Sequence, residues 1–236
     1  MSPSPQLSVI LPCRDQADHI GAVLDHHRAA LSKVDVPWEM VVVPNSCRDA
    51  TPEIARQVAG GDARVRVVPV EAGGWGRAVL AGMTSARGSV LCYANSARTQ
   101  PSHVGELLRL YERSAPCVAK VSRQERHAPL RSAGSWIYNL EGRLLLRVRS
   151  TDVNGTPKML SADLARRLDL GELGDLLDME LLAKAARLGV PVVEMPVAGF
   201  TRHGGRSSTG IMSAFRMYLG VIPLRKRLAG FPHRAP

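Results

Sequence analysis

The chain has 236 residues, 45% of them hydrophobic and only 4% aromatic, enough for one large α/β domain or two small ones with a mainly aliphatic core. No stretch approaches the ~20 apolar residues of a membrane span, and the opening MSPSPQLSVILP lacks the basic region of a signal peptide. A formal net charge of +10, carried mostly by arginine, favours a polyanionic partner (nucleic acid, an anionic membrane surface or a phosphorylated substrate) without choosing among them.

Residues 7–11 are an apolar run that predicts a strand stopped by Pro12. Ile20, Val23, Leu24 and Leu31 fall on one helix face, with Asp18 as N-cap. Residues 40–43 predict a second buried strand. After the polar turn PNSCRDA, Thr51 as N-cap and Pro52 at the first helical position open another helix. A third strand over 65–70 leads to the glycine-rich turn AGGWGRA and a helix through Leu80 and Met83.

Residues 90–94 read as a fourth, buried strand that ends abruptly in small and polar residues before Pro101. Ligands of open α/β sheets bind outside the carboxyl ends of strands, so Asn95, Ser96 and Ala97 are expected on the floor of a site. Pro101 and Ser102 start a helix with the face Val104, Leu107, Leu108 and Tyr111, and 117–121 is a fifth strand. Strands alternating with helices predict a parallel sheet with right-handed crossovers.

Beyond Arg123 the rhythm changes. The run SRQERHAPLRSAGSWIYNLEGRLLLRVR reads as helical in its second half, and TDVNGTPKML as a turn-rich loop. A helix over 176–188 and a strand over 190–196 follow. Residues 211–228 are apolar but interrupted by Arg216, Gly220 and Pro223, and end in RKR. With no repeat and no linker, the expected organisation is one domain over 1–210 and an amphipathic, basic appendage over 211–236. Cys13, Cys47, Cys92 and Cys117 form no CxxC pair and have no histidine at metal-ligand spacing, which predicts a reduced, cytoplasmic protein.

Six stretches, LSVILPCRDQADHIGAVL, EMVVVPNSCRDATPEIA, GGWGRAVLAGMTSARGSVLCYANSA, DVNGTPKML, LDMELLAKAARLGVPVVEMPV and RHGGRSS, resemble the family 2 glycosyltransferases of the GT-A fold. The likeness is to the polyprenyl-phosphate (dolichol-phosphate mannose type) branch and runs from about residue 7 to residue 208. It implies a Rossmann-like, mostly parallel sheet flanked by helices. The implied activity is inverting transfer of a sugar from a nucleotide-diphosphate donor to a phosphorylated, lipid-linked or small-molecule acceptor, with association at the inner face of a membrane. An alternative is a GT-A pseudo-enzyme that keeps nucleotide or partner binding alone.

By position in those motifs, donor binding is assigned to Pro12, Arg14, Asp15, Asn45, Gly76, Arg77, Asn95, Ser96, Ala97, Arg98, Arg202, His203 and Arg206. Acceptor binding is assigned to Arg123, Arg126, Arg131, Asn154 and Lys158. Asp178 and Glu180 are the candidate catalytic pair, one acting as general base or orienting the acceptor. Two apart on a helix, they do not share a face. The family's Asp-Ala-Asp, which holds Mg2+ or Mn2+ against the donor, is replaced by Asn95-Ser96-Ala97, whereas a hard cation wants carboxylate oxygens. No metal ligand is therefore assigned, and arginines are expected to neutralise the diphosphate through bidentate, charge-assisted hydrogen bonds.

Each assignment has a plainer counterpart. The arginines fit a solvated surface, the glycines an ordinary turn whose amides otherwise approach an anion, and 211–228 a segment packed on the domain or on another subunit. Nucleic-acid binding rests on charge alone, with no basic strand of stacking aromatics and no zinc or helix-turn-helix module. No GxGxxG follows the first strand, which disfavours a dinucleotide enzyme.

Overall fold

The structure, a computed structural model, describes residues 4–124, 129–198 and 211–232. Among the described residues seven strands form one sheet: β1 (Leu7–Cys13), β2 (Trp38–Pro44), β3 (Val65–Val67), β4 (Val90–Tyr93), β5 (Val118–Arg123), β6 (Lys158–Ser161) and β7 (Val192–Val197), in the order β3-β2-β1-β4-β6-β5-β7. The helices are α1 (Ile20–Leu31), α2 (Thr51–Ala59), α3 (Trp75–Ser85), α4 (Ser102–Ser114), α5 (Pro129–Leu146), α6 (Ala162–Leu168), α7 (Leu177–Arg187) and α8 (Ile211–Leu228).

Both faces of the sheet are covered, which is why β1 and β2 are apolar almost without alternation. Leu7, Val9, Leu11, Met40 and Val42 point to one face, against Leu24 of α1 and Leu107 of α4. Ile10, Val41 and Tyr93 point to the other, against Ala78 and Val79 of α3 and Leu181 of α7. Val221, Leu224 and Leu228 of α8 join this second core, so the part of 211–228 expected as an appendage packs on the domain. Gly220 permits that approach, since a Cβ there would collide with Leu176, and the helix runs on through Pro223.

The sheet is mostly parallel, with one correction. Strand β6 runs antiparallel between β4 and β5. The sequence reads 158–160 as the end of a loop because these residues follow a glycine- and proline-rich turn and open on a lysine, a residue seldom buried. Pro12 does not stop β1 either. Successive residues of β1 bond to opposite neighbours, and Pro12 faces the β4 side beyond the last β1–β4 pair, Ile10 with Tyr93, so its missing N–H forfeits no ladder bond. Asp18 does not cap α1, which starts at Ile20 with backbone bonds to the Gln16 carbonyl. Thr51 lies inside α2, and the capping carboxylate is Asp49, which accepts the Thr51 N–H (3.0 Å).

Candidate active site

After β1 the chain moves to β2 and β3 on one side of the sheet, and β4 enters on the other side of β1. This switch point leaves a crevice at the carboxyl ends of β1 and β4. The loops beyond the two strands are stitched together there. The buried Ser96 hydroxyl donates to the Pro12 carbonyl (2.7 Å) and stands 3.0 Å from Gln16 Oε1. Asn95 Oδ1 accepts the Ala97 N–H (3.1 Å), and the Asn95 carbonyl accepts those of Arg98 (3.0 Å) and Thr99 (2.8 Å). Ala97 is 4% exposed. Asn95-Ser96-Ala97 thus forms a self-satisfied turn without a carboxylate, and these residues do not fit a divalent cation. Asp15, Cys47 and Asp49 bring ligand atoms within 4.8 Å of one another, but Asp15 accepts the Arg48 N–H (2.7 Å) and Asp49 the Ala17 N–H (2.9 Å), so both carboxylates serve to join the loops after β1 and β2.

Asn45 extends β2 by one bridge, to Val70. Its Nδ2 donates to the Gly74 carbonyl (3.0 Å), while its buried Oδ1 accepts nothing among the described residues. For the glycine turn the sequence leaves two readings, an ordinary turn and amides that approach an anion. The N–H groups of Gly76 and Arg77 donate to the carbonyls of Gly174 (3.1 Å) and Leu173 (2.9 Å), leaving neither for a phosphate. A methyl at Gly74 or Gly76 would strike the carbonyls of Leu173 or Glu172, so these glycines serve close approach of the 172–174 segment. Two arginines border the turn: Arg14 lies against Gly73, and Arg77 keeps a buried Nε that has no hydrogen-bond partner among the described residues.

The first turn of α7 sends its two acids in different directions. Glu180 accepts the N–H of Gly171 (3.0 Å) and Glu172 (2.8 Å) and pairs with Lys184 (2.9 Å), holding the segment whose carbonyls seat α3. Asp178 points at the sheet. Its Oδ1 receives both the Tyr93 hydroxyl (2.7 Å) and Lys158 Nζ (2.6 Å), and Lys158 also donates to the Gly155 carbonyl (2.8 Å). Asp178 Oδ2 makes no hydrogen bond among the described residues. Lys158 is fully buried, so it reaches Asp178 rather than an incoming acceptor.

A second charged cluster continues this one. Lys120, paired in register with Lys158, donates to the carbonyls of Val121 (2.8 Å) and Asp152 (2.6 Å) and to Glu194 (3.2 Å). Arg123 clasps Asp152 through Nε and Nη2 (2.7 Å each). Burial pulls Lys120 down to about 8, with Lys158 adding to the fall and Glu194 and Asp152 opposing it. Burial likewise lowers Lys158 against the pull of Asp178, and burial and Asp178 together push the Tyr93 phenol well up. Burial raises Cys92 to about 12 and Cys13 further, as befits small core residues rather than nucleophiles.

The structure therefore gathers Pro12, Arg14, Asp15, Asn45, Gly76, Arg77, Asn95, Ser96, Ala97 and Arg98 around one sheet edge, and Arg123, Asn154, Lys158 and Asp178 beside it. Arg126, Arg202, His203, Arg206 and the Arg131 side chain lie outside the described residues. Tyr93, Lys120, Asp152 and Glu194 escaped sequence reading. The one signal was a tyrosine closing an apolar strand, since a buried phenol needs a hydrogen-bond partner.

Residues 8–168 match the family described as Glycosyl transferase family 2. The chain belongs to glycosyl transferase family 2. This family 2 chain is 26% identical over 229 residues to dodecaprenyl-phosphate galacturonate synthase of Rhizobium johnstonii, covering 92% of this chain and 65% of that protein. It is 35% identical over 103 residues to dolichyl-phosphate beta-glucosyltransferase of Drosophila melanogaster, covering 40% of this chain and 32% of that one. The chain thus spans less than two thirds of the length of these curated relatives. Glucosyl-3-phosphoglycerate synthase from Mycobacterium tuberculosis, solved with Mn2+, UDP and glucosyl-3-phosphoglycerate, shares the fold at a TM-score of 0.72 and 19% identity, over 97% of this chain and 81% of that one. Its complex with UDP gives 0.71 at 18% identity over the same shares. The family 2 fold here is thus GT-A.

Proposed function

We propose that this chain transfers a sugar from a nucleotide-diphosphate donor to a phosphate-bearing, lipid-linked acceptor, with inversion at the anomeric carbon. The observation that carries the reading is Asp178: a buried carboxylate beside the switch-point crevice, held through one oxygen by Tyr93 and Lys158, with the other left for chemistry. Asn45 Oδ1 offers the base edge an acceptor. Arg14, Arg77 and Arg98 take up the charge of the departing diphosphate, and the reaction depends weakly on metal or not at all. A hydroxyl acceptor gives its proton to Asp178 as it attacks; a phosphate acceptor arrives ionised, and its charge is met by the arginines around Arg123. The relatives' names support the lipid-linked acceptor. Exposed Leu219 and Ile222 on α8, next to Arg225 and Lys226, support peripheral contact with an anionic membrane.

Titration calorimetry with UDP, GDP and their sugar conjugates, each with Mn2+ and with EDTA, tests the reading. Binding that survives EDTA is expected and identifies the base. Binding only with Mn2+ overturns metal independence. The absence of a side-chain oxygen at Ala97 favours a second reading, the pseudo-enzyme, and nucleotide binding with no turnover on any polyprenyl phosphate would establish it.

A further inference from the structure

Four buried polar atoms near Asp178 make no hydrogen bond among the described residues: Trp75 Nε1, the Tyr138 hydroxyl, Glu141 Oε2 and Asn154 Oδ1. Native structures satisfy nearly all such groups, so four in one neighbourhood call for an occupant. They come from three elements that converge on one carboxylate. Trp75 opens α3, and its ring lies 6.3 Å from that of Tyr93, whose hydroxyl donates to Asp178. Tyr138 of α5 is 3% exposed, and its phenol is pushed well up by burial and by the nearby charge of Asp178. Glu141 follows three residues later on the same helix face, and Gly142 beside it packs on Met179, the neighbour of Asp178. Asn154 precedes Gly155, whose carbonyl holds the Lys158 ammonium that pairs with Asp178.

The chemistry of the set is mixed. Trp75 Nε1 is a donor, the phenol is a donor and acceptor, and Glu141 Oε2 and Asn154 Oδ1 are acceptors. A phosphate has only acceptor oxygens and is repelled by Glu141 and Asp178. A sugar ring suits the set, because each hydroxyl both donates and accepts while the C–H faces lie against aromatic rings. We propose that Trp75, Tyr138, Glu141 and Asn154 form the subsite for the sugar ring of the donor, delivering its anomeric carbon to Asp178. This rests on the donor reading above and adds where the transferred ring sits.

The test compares the wild-type chain with Tyr138→Phe and Glu141→Gln, titrated with UDP, UDP-glucose, GDP and GDP-mannose, alongside thermal melting without ligand. Each variant is expected to hold the affinity for the free nucleoside diphosphate and to weaken that for the matching sugar conjugate about 5- to 10-fold, the worth of one hydrogen bond. The ligand-free melting temperature should stay level or rise for Tyr138→Phe, because an unsatisfied buried hydroxyl has been removed. Equal loss for nucleotide and conjugate, or a lowered melting temperature with no selective loss, makes these residues structural and overturns the subsite while the donor reading stands. Wild type that binds none of the four probes overturns both.

Discussion

One row of side chains crosses the entire sheet in register: Arg66, Val41, Ile10, Tyr93, Lys158, Lys120 and Glu194. Its two halves are built from different physics. On β2 and β1 the row is Val41 and Ile10, fully buried and held by packing against α3. On β6 and β5 it is Lys158 and Lys120, equally buried and held by carboxylates and carbonyls from α7, β7, the 150–157 loop and β5 itself. The apolar half supports loops that shape the crevice, whereas the charged half places an anion, Asp178, where solvent alone would not keep it. Burying two ammonium groups side by side is costly unless each keeps its partner, which makes the charged half the more fragile of the two.

The comparison breaks most sharply at Asp178. Asp178→Ala should lower turnover by about 10²- to 10⁴-fold while leaving nucleotide affinity within twofold, as measured by steady-state rates and calorimetry. Lys158→Met should destabilise the fold by about 3–5 kcal/mol in urea unfolding, because Asp178 is left as a buried charge without its cation. The same change combined with Asp178→Leu should cost less than Lys158→Met alone. Ile10→Val, in the apolar half of the row, should cost about 0.5–1.5 kcal/mol. If the single and double charge variants are equally unstable, the ion pair is not what holds this half.

The pH response of Lys120 sharpens the contrast. Its ordinary value is 10.5 and burial brings it to about 8 in the fold. Between those values the unfolded chain binds a proton that the folded chain does not, so this group adds stability as pH rises from about 8 towards 10.5 and is a constant deficit below pH 8. The stability of wild type minus that of Lys120→Met should therefore rise over that window, by an amount on the order of 3 kcal/mol at most. Cys92, raised to about 12, pulls the other way at high pH but is common to both proteins and drops out of the difference. A difference that stays flat would mean the ammonium is hydrated rather than buried.

The same division marks what was readable from sequence. Strands β1, β2 and β4 are apolar runs ended by polar turns, and their order along the chain is enough to put Asn45 and Asn95 at one edge. Periodicity also located α1, α4 and α7 to within a few residues. The charged half was opaque because its key residues contradict burial statistics: Lys158 reads as surface, and nothing local reveals that Asp178, twenty residues on, faces it. The glycine turn is legible as a turn before a helix, but nothing local shows that the Gly76 and Arg77 N–H groups are taken by a segment nearly a hundred residues later.

That covering contact supplies the smallest pair of effects. Gly76 and Gly174 sit on either side of one hydrogen bond, from the Gly76 N–H to the Gly174 carbonyl. A Cβ at Gly76 would run into the Glu172 carbonyl, whereas one at Gly174 meets nothing within 4 Å. Gly76→Ala should therefore destabilise by about 1–3 kcal/mol through forced backbone movement, and because it shifts the turn beneath Arg77 it should also weaken nucleotide binding. Gly174→Ala should do neither, and should stabilise slightly, by about 0.4–1 kcal/mol, by narrowing the unfolded ensemble. Melting curves of the two variants decide the matter: equal and small effects would place the 172–174 segment away from α3, and with it would go the link by which Glu180 ties α7 to the glycine turn.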